Sequence, residues 1–258
     1  MTATVDEFIH QYPGESHPVV LLHGLLTSAK YWNPARRRLT AAGYRVATVD
    51  LLGFGRAARV PAASYDYNEH VEHVKNALLS ISGGQPVVLV GHSLGGLIAL
   101  KLARKYPSLV SELVMFNAPL FRDSHEAKAS IEQTNKLYKF LMTSRFRSVG
   151  WGAAHLLGFR VWGRHSTRAR EGALRRVIFR GKGIHHLEQI TVPTTVITGA
   201  SDRAEYLNNL QQASLPPNVR VIVAPTGHHL PAQAPHYVTW TMDLLSGGLR
   251  PEHTVPAV

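Results

Sequence analysis

Cysteine is absent from the sequence, and that one gap removes disulfide staples, thiolate metal sites and a cysteine nucleophile together. Long apolar runs are missing too. No stretch approaches the roughly 18 apolar residues that a membrane-spanning helix requires, and residues 1–16 lack the basic-then-apolar layout of a secretory signal. The expectation is a soluble chain, not exported by that route and cytoplasmic by default. Acidic residues are scarce, 17 Asp and Glu against 28 Lys and Arg, for a formal net charge of +11. Such an excess favours anionic partners. The chain shows neither an internal repeat nor a low-complexity tract. What is present is 258 residues, 45% apolar and 17% charged, the balance of a globular protein with a sizeable core.

Short apolar runs bounded by Gly, Pro or Asp recur at residues 18–23 (PVVLLH), 44–50 (YRVATVD), 86–92 (PVVLVGH), 112–118 (ELVMFNA), 193–199 (PTTVITG) and 219–224 (VRVIVA). Their Val and Ile content reads as buried strands. Between them, residues 29–42, 67–82, 94–106 and 232–246 carry helical spacing, and alternation of this kind argues for an α/β architecture: a mostly parallel sheet covered by helices on both faces. Only about seventeen residues precede the first clear strand, with room for one strand around 7–12, so the N-terminal edge should be abbreviated. The tail 247–258 is polar, proline-containing and expected to fray.

Residues 120–190 break the rhythm, with about seventy positions and no convincing strand, too many for an ordinary connection. An inserted helical unit is expected there, giving a core of residues 1–119 and 191–258 and a lid of 120–190. Ile131, Leu137, Tyr138, Leu141 and Met142 fit one helical face, and Ala173, Leu174, Val177 and Ile178 another.

Gly91-His92-Ser93-Leu94-Gly95 matches G-x-S-x-G, closing one predicted strand and opening one predicted helix. That context makes a nucleophile elbow, in which a sharp turn presents the serine hydroxyl at the C-terminal edge of the sheet. A serine hydroxyl is a weak nucleophile near neutral pH and needs a base plus a group that orients the base. Asp202, in the loop GASD, and His228, in the loop PTGHH, follow successive predicted strands and supply them in the order Ser, Asp, His. Glu205 is the fallback acid and His229 the alternative base; His228 is preferred because Gly227 before it frees the loop to turn the ring inward. The tetrahedral oxyanion requires backbone donors, and the N–H groups of Leu94 and of Leu25, after His23-Gly24, are assigned to it. His23 is read as a buttress for that loop.

With these residues in place the chain resembles the α/β-hydrolase superfamily, in the branch with a helical cap between the sixth and seventh strands. The resemblance covers roughly residues 7–246 and rests on LLHG (21–24), DLLGFG (50–55), GHSLGG (91–96), GASD (199–202) and TGHHLPAQAP (226–235). It implies a capped, esterase- or lipase-like serine hydrolase that cleaves a carboxylic ester through an acyl-enzyme and needs no cofactor or metal. The same scaffold also serves carbon–carbon and lactone cleavage, or a ligand receptor. Serine at the elbow is unlike the dehalogenase and epoxide-hydrolase branches, which carry aspartate there. Family members often have serine at Ala57, an acid at Gln233 or Ala234, and apolar residues or proline where Arg203-Ala204-Glu205 stand.

Three further patterns stand out in the sequence. Glu69, His70, Glu72 and His73 have helix-neighbour spacing suited to a metal but read as a solvated face. His185 and His186 read as hinge or surface residues. Residues 120–190 hold 14 Lys or Arg against 5 Asp or Glu, a surplus of 9 out of the total +11, together with eight aromatics. That mixture suits an anionic, lipid-like ester substrate or peripheral contact with an acidic membrane surface. Arg164, Arg168, Arg175 and Arg176 are expected to form a basic surface near the pocket. No nucleic-acid-binding motif is present.

Overall fold

The computed structural model describes residues 5–60, 62–132 and 164–247. Seven strands form one sheet in the order β1-β3-β2-β4-β5-β6-β7: β1 Ile9–Tyr12, β2 Val19–Leu22, β3 Val46–Val49, β4 Val87–His92, β5 Val110–Phe116, β6 Thr194–Gly199 and β7 Val219–Ala224. All neighbours are parallel except β1, which runs antiparallel to β3. The abbreviated N-terminal edge is thus a single strand among the described residues, and the long interval falls after the fifth strand.

The central strands β2 (VVLL) and β4 (VVLVGH) are apolar and almost wholly buried because both faces are covered. Val20, Leu22, Leu89, Leu113 and Met115 point to one core and Val19, Leu21, Val90, Val114 and Phe116 to the other, the two-residue alternation of a pleated strand. The first core is covered by α2 (Tyr67–Ser82) and α3 (Leu94–Lys105), the second by α1 (Asn33–Ala41), α8 (Leu230–Gln233) and α9 (His236–Leu245). No helix among the described residues is long and apolar enough to cross a membrane.

Helix ends follow local chemistry. α2 begins at Asp66, whose carboxylate accepts from the Asn68 and Glu69 amides while Glu69 reaches back in a capping box, and it ends on Gly83 at φ 62°. The helical pattern at 29–42 resolves into a 3-10 turn, Ala29–Trp32, then α1 with Pro34 in its first turn. The pattern at 232–246 breaks into α8 and α9 because Pro235 has no N–H to donate and disfavours helical geometry at Ala234. The run 112–118 stops as a strand at Phe116, since Asn117 turns the chain at φ 48°.

Within 120–190, the described residues form α4 (Ser124–Glu132), α5 (Thr167–Arg176) and α6 (Gly183–Leu187). Ala173, Leu174, Val177 and Ile178 are buried together, as their spacing predicts. Phe121, Ala127, Leu174 and Leu187 belong to the same core as Leu97 of α3, so these flanks pack directly on the sheet's helical layer. The other expected face, with Ile131, Leu137, Tyr138, Leu141 and Met142, lies outside the described side chains, and most of the tail lies outside the described residues.

Two expectations about histidines fail. His70 and His73 lie on the buried side of α2: His73 donates from Nε2 to the Asp50 carbonyl at 2.9 Å and stacks on Phe8, while His70 is fully buried. Only Glu69 and Glu72 of that quartet work toward solvent, in the cap and in ion pairs with Lys75 and Lys105. His186 is buried beside Tyr67, whereas His185 is exposed. Neutral imidazole is apolar enough to fill core space, which a charge-based reading of the sequence overlooks.

Candidate active site

Ser93 joins β4 to α3 at φ 52°, ψ −117°, a conformation costly for a residue with a Cβ and held only because its surroundings enforce it. Its N–H donates to the Phe116 carbonyl at 3.0 Å, and its carbonyl accepts from Gly96 and Leu97. The flanking glycines are required by contact. A Cβ on Gly91 would press into the Gly95 backbone, and one on Gly95 would overlap the Leu22 carbonyl. Ser93 retains 8% exposure, and Leu94 heads α3, where first-turn amides have no intrahelical acceptor.

The loop after β2 lies against this elbow: a Cβ on Gly24 would stand 2.9 Å from His92 Nδ1 and 3.3 Å from Ser93 Cβ. Gly24, the residue before Leu25, therefore lies against the serine. His23, fully buried, donates from Nδ1 to the Gly24 carbonyl at 2.8 Å and accepts at Nε2 from the Leu51 N–H at 3.0 Å, which fixes a neutral ring. Burial lowers its pKa. The ring does buttress the loop. Asp50 reinforces it by accepting from the Ala29 N–H at 2.7 Å, the Arg56 N–H at 3.0 Å and His10 Nε2 at 3.2 Å. Burial alone would raise the Asp50 pKa, but the hydrogen bonds from His10 and these amides hold it low.

Asp202 and His228 lie beyond the ends of β6 and β7, whose loops interlock: Ala200 N–H donates to Ala224 and Ser201 N–H to Thr226. His228 Nδ1–H donates to Asp202 Oδ2 at 2.9 Å, with side-chain exposures of 36% and 4%. The Asp202 carboxylate also accepts from Asn117 Nδ2 at 2.9 Å and the Arg203 N–H at 2.8 Å. Its burial favours the neutral acid, yet the donors prevail and depress its pKa. His228 is further fixed through its carbonyl, which accepts from His92 Nε2–H at 2.9 Å; His92 itself stacks on Tyr31.

The sequence alternatives are placed otherwise. Glu205 accepts from Ser130 Oγ at 3.4 Å, and the His229 ring packs against His92 and Tyr31 at 5.8 and 6.1 Å between centroids. Strands β4, β5, β6 and β7 are adjacent, so Ser93, Asn117, Asp202 and His228 all emerge at one C-terminal sheet edge, where sites of open α/β sheets gather.

The family model for the alpha/beta hydrolase fold matches residues 17–164, more than half of the chain and through the elbow itself. The chain belongs to the α/β-hydrolase family. It is 35% identical over 116 residues to the "Putative carbamate hydrolase RutD" of Variovorax paradoxus, covering 45% of this chain and 43% of that protein. It is 33% identical over 107 residues to the "Probable lysophospholipase BODYGUARD 1" of Arabidopsis thaliana, covering 40% of this chain and 23% of that protein. The matched region thus spans less than half the length of these curated relatives. A solved esterase from Exiguobacterium antarcticum shares the fold at TM-score 0.68 and 24% identity, covering 93% of this chain and 94% of that one.

In this α/β-hydrolase, Arg164, Arg168, Arg175 and Arg176 are all exposed at the surface. Arg168 donates to the Ala63 carbonyl at 2.7 Å, the Arg164 carbonyl accepts from Gly55, and Arg175 and Arg176 sit in the last turn of α5. Among the described residues no three His, Asp or Glu are placed to hold a metal ion. Asn117 escaped the sequence reading, and His92 and Asp50 figured there only as members of GHSLGG and DLLGFG, without the contacts described above. Asp50 and Asn117 each stand at the C-terminal end of a predicted strand, the available signal, but which loops they tie together depends on strand order.

Proposed function

We propose that the chain is a serine hydrolase that cleaves carboxylic esters through an acyl-enzyme. Ser93 attacks the ester carbonyl, His228 takes its proton and passes it to the leaving alcohol, and Asp202 keeps the imidazole oriented and stabilises its charged form. The Leu25 and Leu94 amides receive the oxyanion. Water activated by His228 then releases the acid. The observation that carries this reading is the hydrogen-bonded His228–Asp202 pair at the same sheet edge as a serine in a strained, glycine-flanked elbow. A plain surface loop has no use for that strain. Resemblance to proteins named as lysophospholipase and carbamate hydrolase, and the fold of an esterase, point to ester or related acyl substrates. The basic surplus of residues 120–190, taken as a cap over the site, favours lipid-like substrates bearing negative charge.

The test is a series of activated esters, varied in acyl length and leaving group, with a fluorophosphonate probe alongside. Labelling at Ser93 and loss of both labelling and turnover in Ser93→Ala are expected; unchanged labelling in that variant refutes the assignment.

A further inference from the structure

The side chain of Asn117 is fully buried at the centre of this arrangement, yet no motif in the sequence marks it. Its backbone leaves β5 at φ 48°, a left-handed conformation that asparagine tolerates better than most residues with a Cβ. That turn lets one residue touch three strand ends. The Asn117 N–H donates to the Ile197 carbonyl of β6 at 2.8 Å, and the Phe116 carbonyl just before it receives the Ser93 N–H. Its Nδ2 donates to Asp202 Oδ2 at 2.9 Å, the oxygen that His228 also uses, and reaches the Gly227 carbonyl at 3.4 Å. The amide orientation is dictated: reversed, its oxygen would face a carboxylate and a carbonyl, two acceptors without a proton between them.

We propose that Asn117 is a positioning residue of the triad, holding the Asp202 carboxylate in the plane of the His228 ring and tying the acid loop to the histidine loop. This rests on the assignment of Ser93, Asp202 and His228 above. Asp202 is held on one oxygen by the Arg203 amide and on the other by His228 and Asn117. Without Asn117 the catalytic oxygen answers to His228 alone, and the carboxylate is free to rotate away as the imidazole moves during proton transfer. A neutral donor also suits the place. It anchors the anion without supplying a cation that would compete with the imidazolium formed in the transition state.

Two variants that tolerate the backbone test this, Asn117→Gly and Asn117→Asp. Rates are expressed per fluorophosphonate-titrated site, so that misfolded protein does not count. Asn117→Gly should lower kcat about 10- to 100-fold, the size of a lost hydrogen bond to a charged group, with KM changed less than about threefold. Asn117→Asp keeps the shape. Protonated, it donates to Asp202 as the amide does; ionised, it sets two carboxylates against each other. Its rate should therefore approach the parent's at low pH and decline as pH rises, adding a descending limb that the parent lacks. Normal kcat per site in both variants, with only a lowered melting temperature, makes Asn117 structural and overturns the inference alone. Parent hydrolysis that survives Ser93→Ala overturns the functional reading, and this inference with it.

Discussion

At the scale of single residues, the site depends on groups held in states that sterics or burial alone would disfavour. Ser93 is kept at a costly φ, and Asp202 is kept ionised in a place that burial makes unfavourable, because three donors converge on it. Exchange of Asp202 for Asn preserves its volume but offers His228 the wrong tautomer. Asp202→Asn should lower turnover by roughly 10⁴-fold with little change in melting temperature. His228→Ala should cost several orders of magnitude, and His229→Ala much less, since His228 alone of the two donates to Asp202. Steady-state kinetics on these three variants and on Glu205→Gln decide the matter: near-normal turnover in Asp202→Asn with a large loss in Glu205→Gln moves the acid to Glu205.

At the scale of elements, each helix records a division of labour between its faces. The inner face of α5 is buried through Ala169, Gly172, Ala173 and Leu174, while Arg168, Arg175 and Arg176 remain exposed. Arg168 and Arg175 are seven residues apart and so share one side of the helix. If that side and Arg164 attract charged substrate, the effect is a screened one, fading as the Debye length shortens to about 8 Å at 0.15 M salt. The expected outcome is a higher kcat/KM for a carboxylate-bearing ester than for its neutral analogue at low salt, with the preference reduced by salt and by changing the four arginines to glutamine. A ratio indifferent to both shows that these arginines merely solvate the helix.

At the scale of the whole molecule, buried histidines make the fold sensitive to acid. Burial lowers the pKa of His70 to about 3 and of His73 and His186 to about 4, and pushes His92 well down. In the unfolded chain the same rings take up protons near 6.5. Between these limits the unfolded state binds more protons than the folded one, so stability is greatest above about pH 6.5 and declines as pH falls toward 4. Urea denaturation midpoints measured across that range should drop steadily. His70→Leu or His73→Leu, if it packs, should flatten the slope; an unchanged slope in both assigns the acid sensitivity elsewhere.

The sequence by itself determined the alternation of strands and helices, the elbow at Ser93 and the order of Ser93, Asp202 and His228, because each is written in neighbouring residues. A strand is announced by its own apolar run, and a sharp turn by its own glycines. It also marked Ala173, Leu174, Val177 and Ile178 as one buried face. What it left open were matters of partnership between distant segments. Asn117 read as one more polar residue at a strand end, and only the adjacency of β5 and β6 brings it to Asp202. His70 and His73 read as solvated, and only the packing of α2 on the sheet turned them inward. Periodicity tells which residues share a face of an element; which face is buried, and against what, is decided when the elements meet, since burial is a property of the assembled layers and not of any one segment.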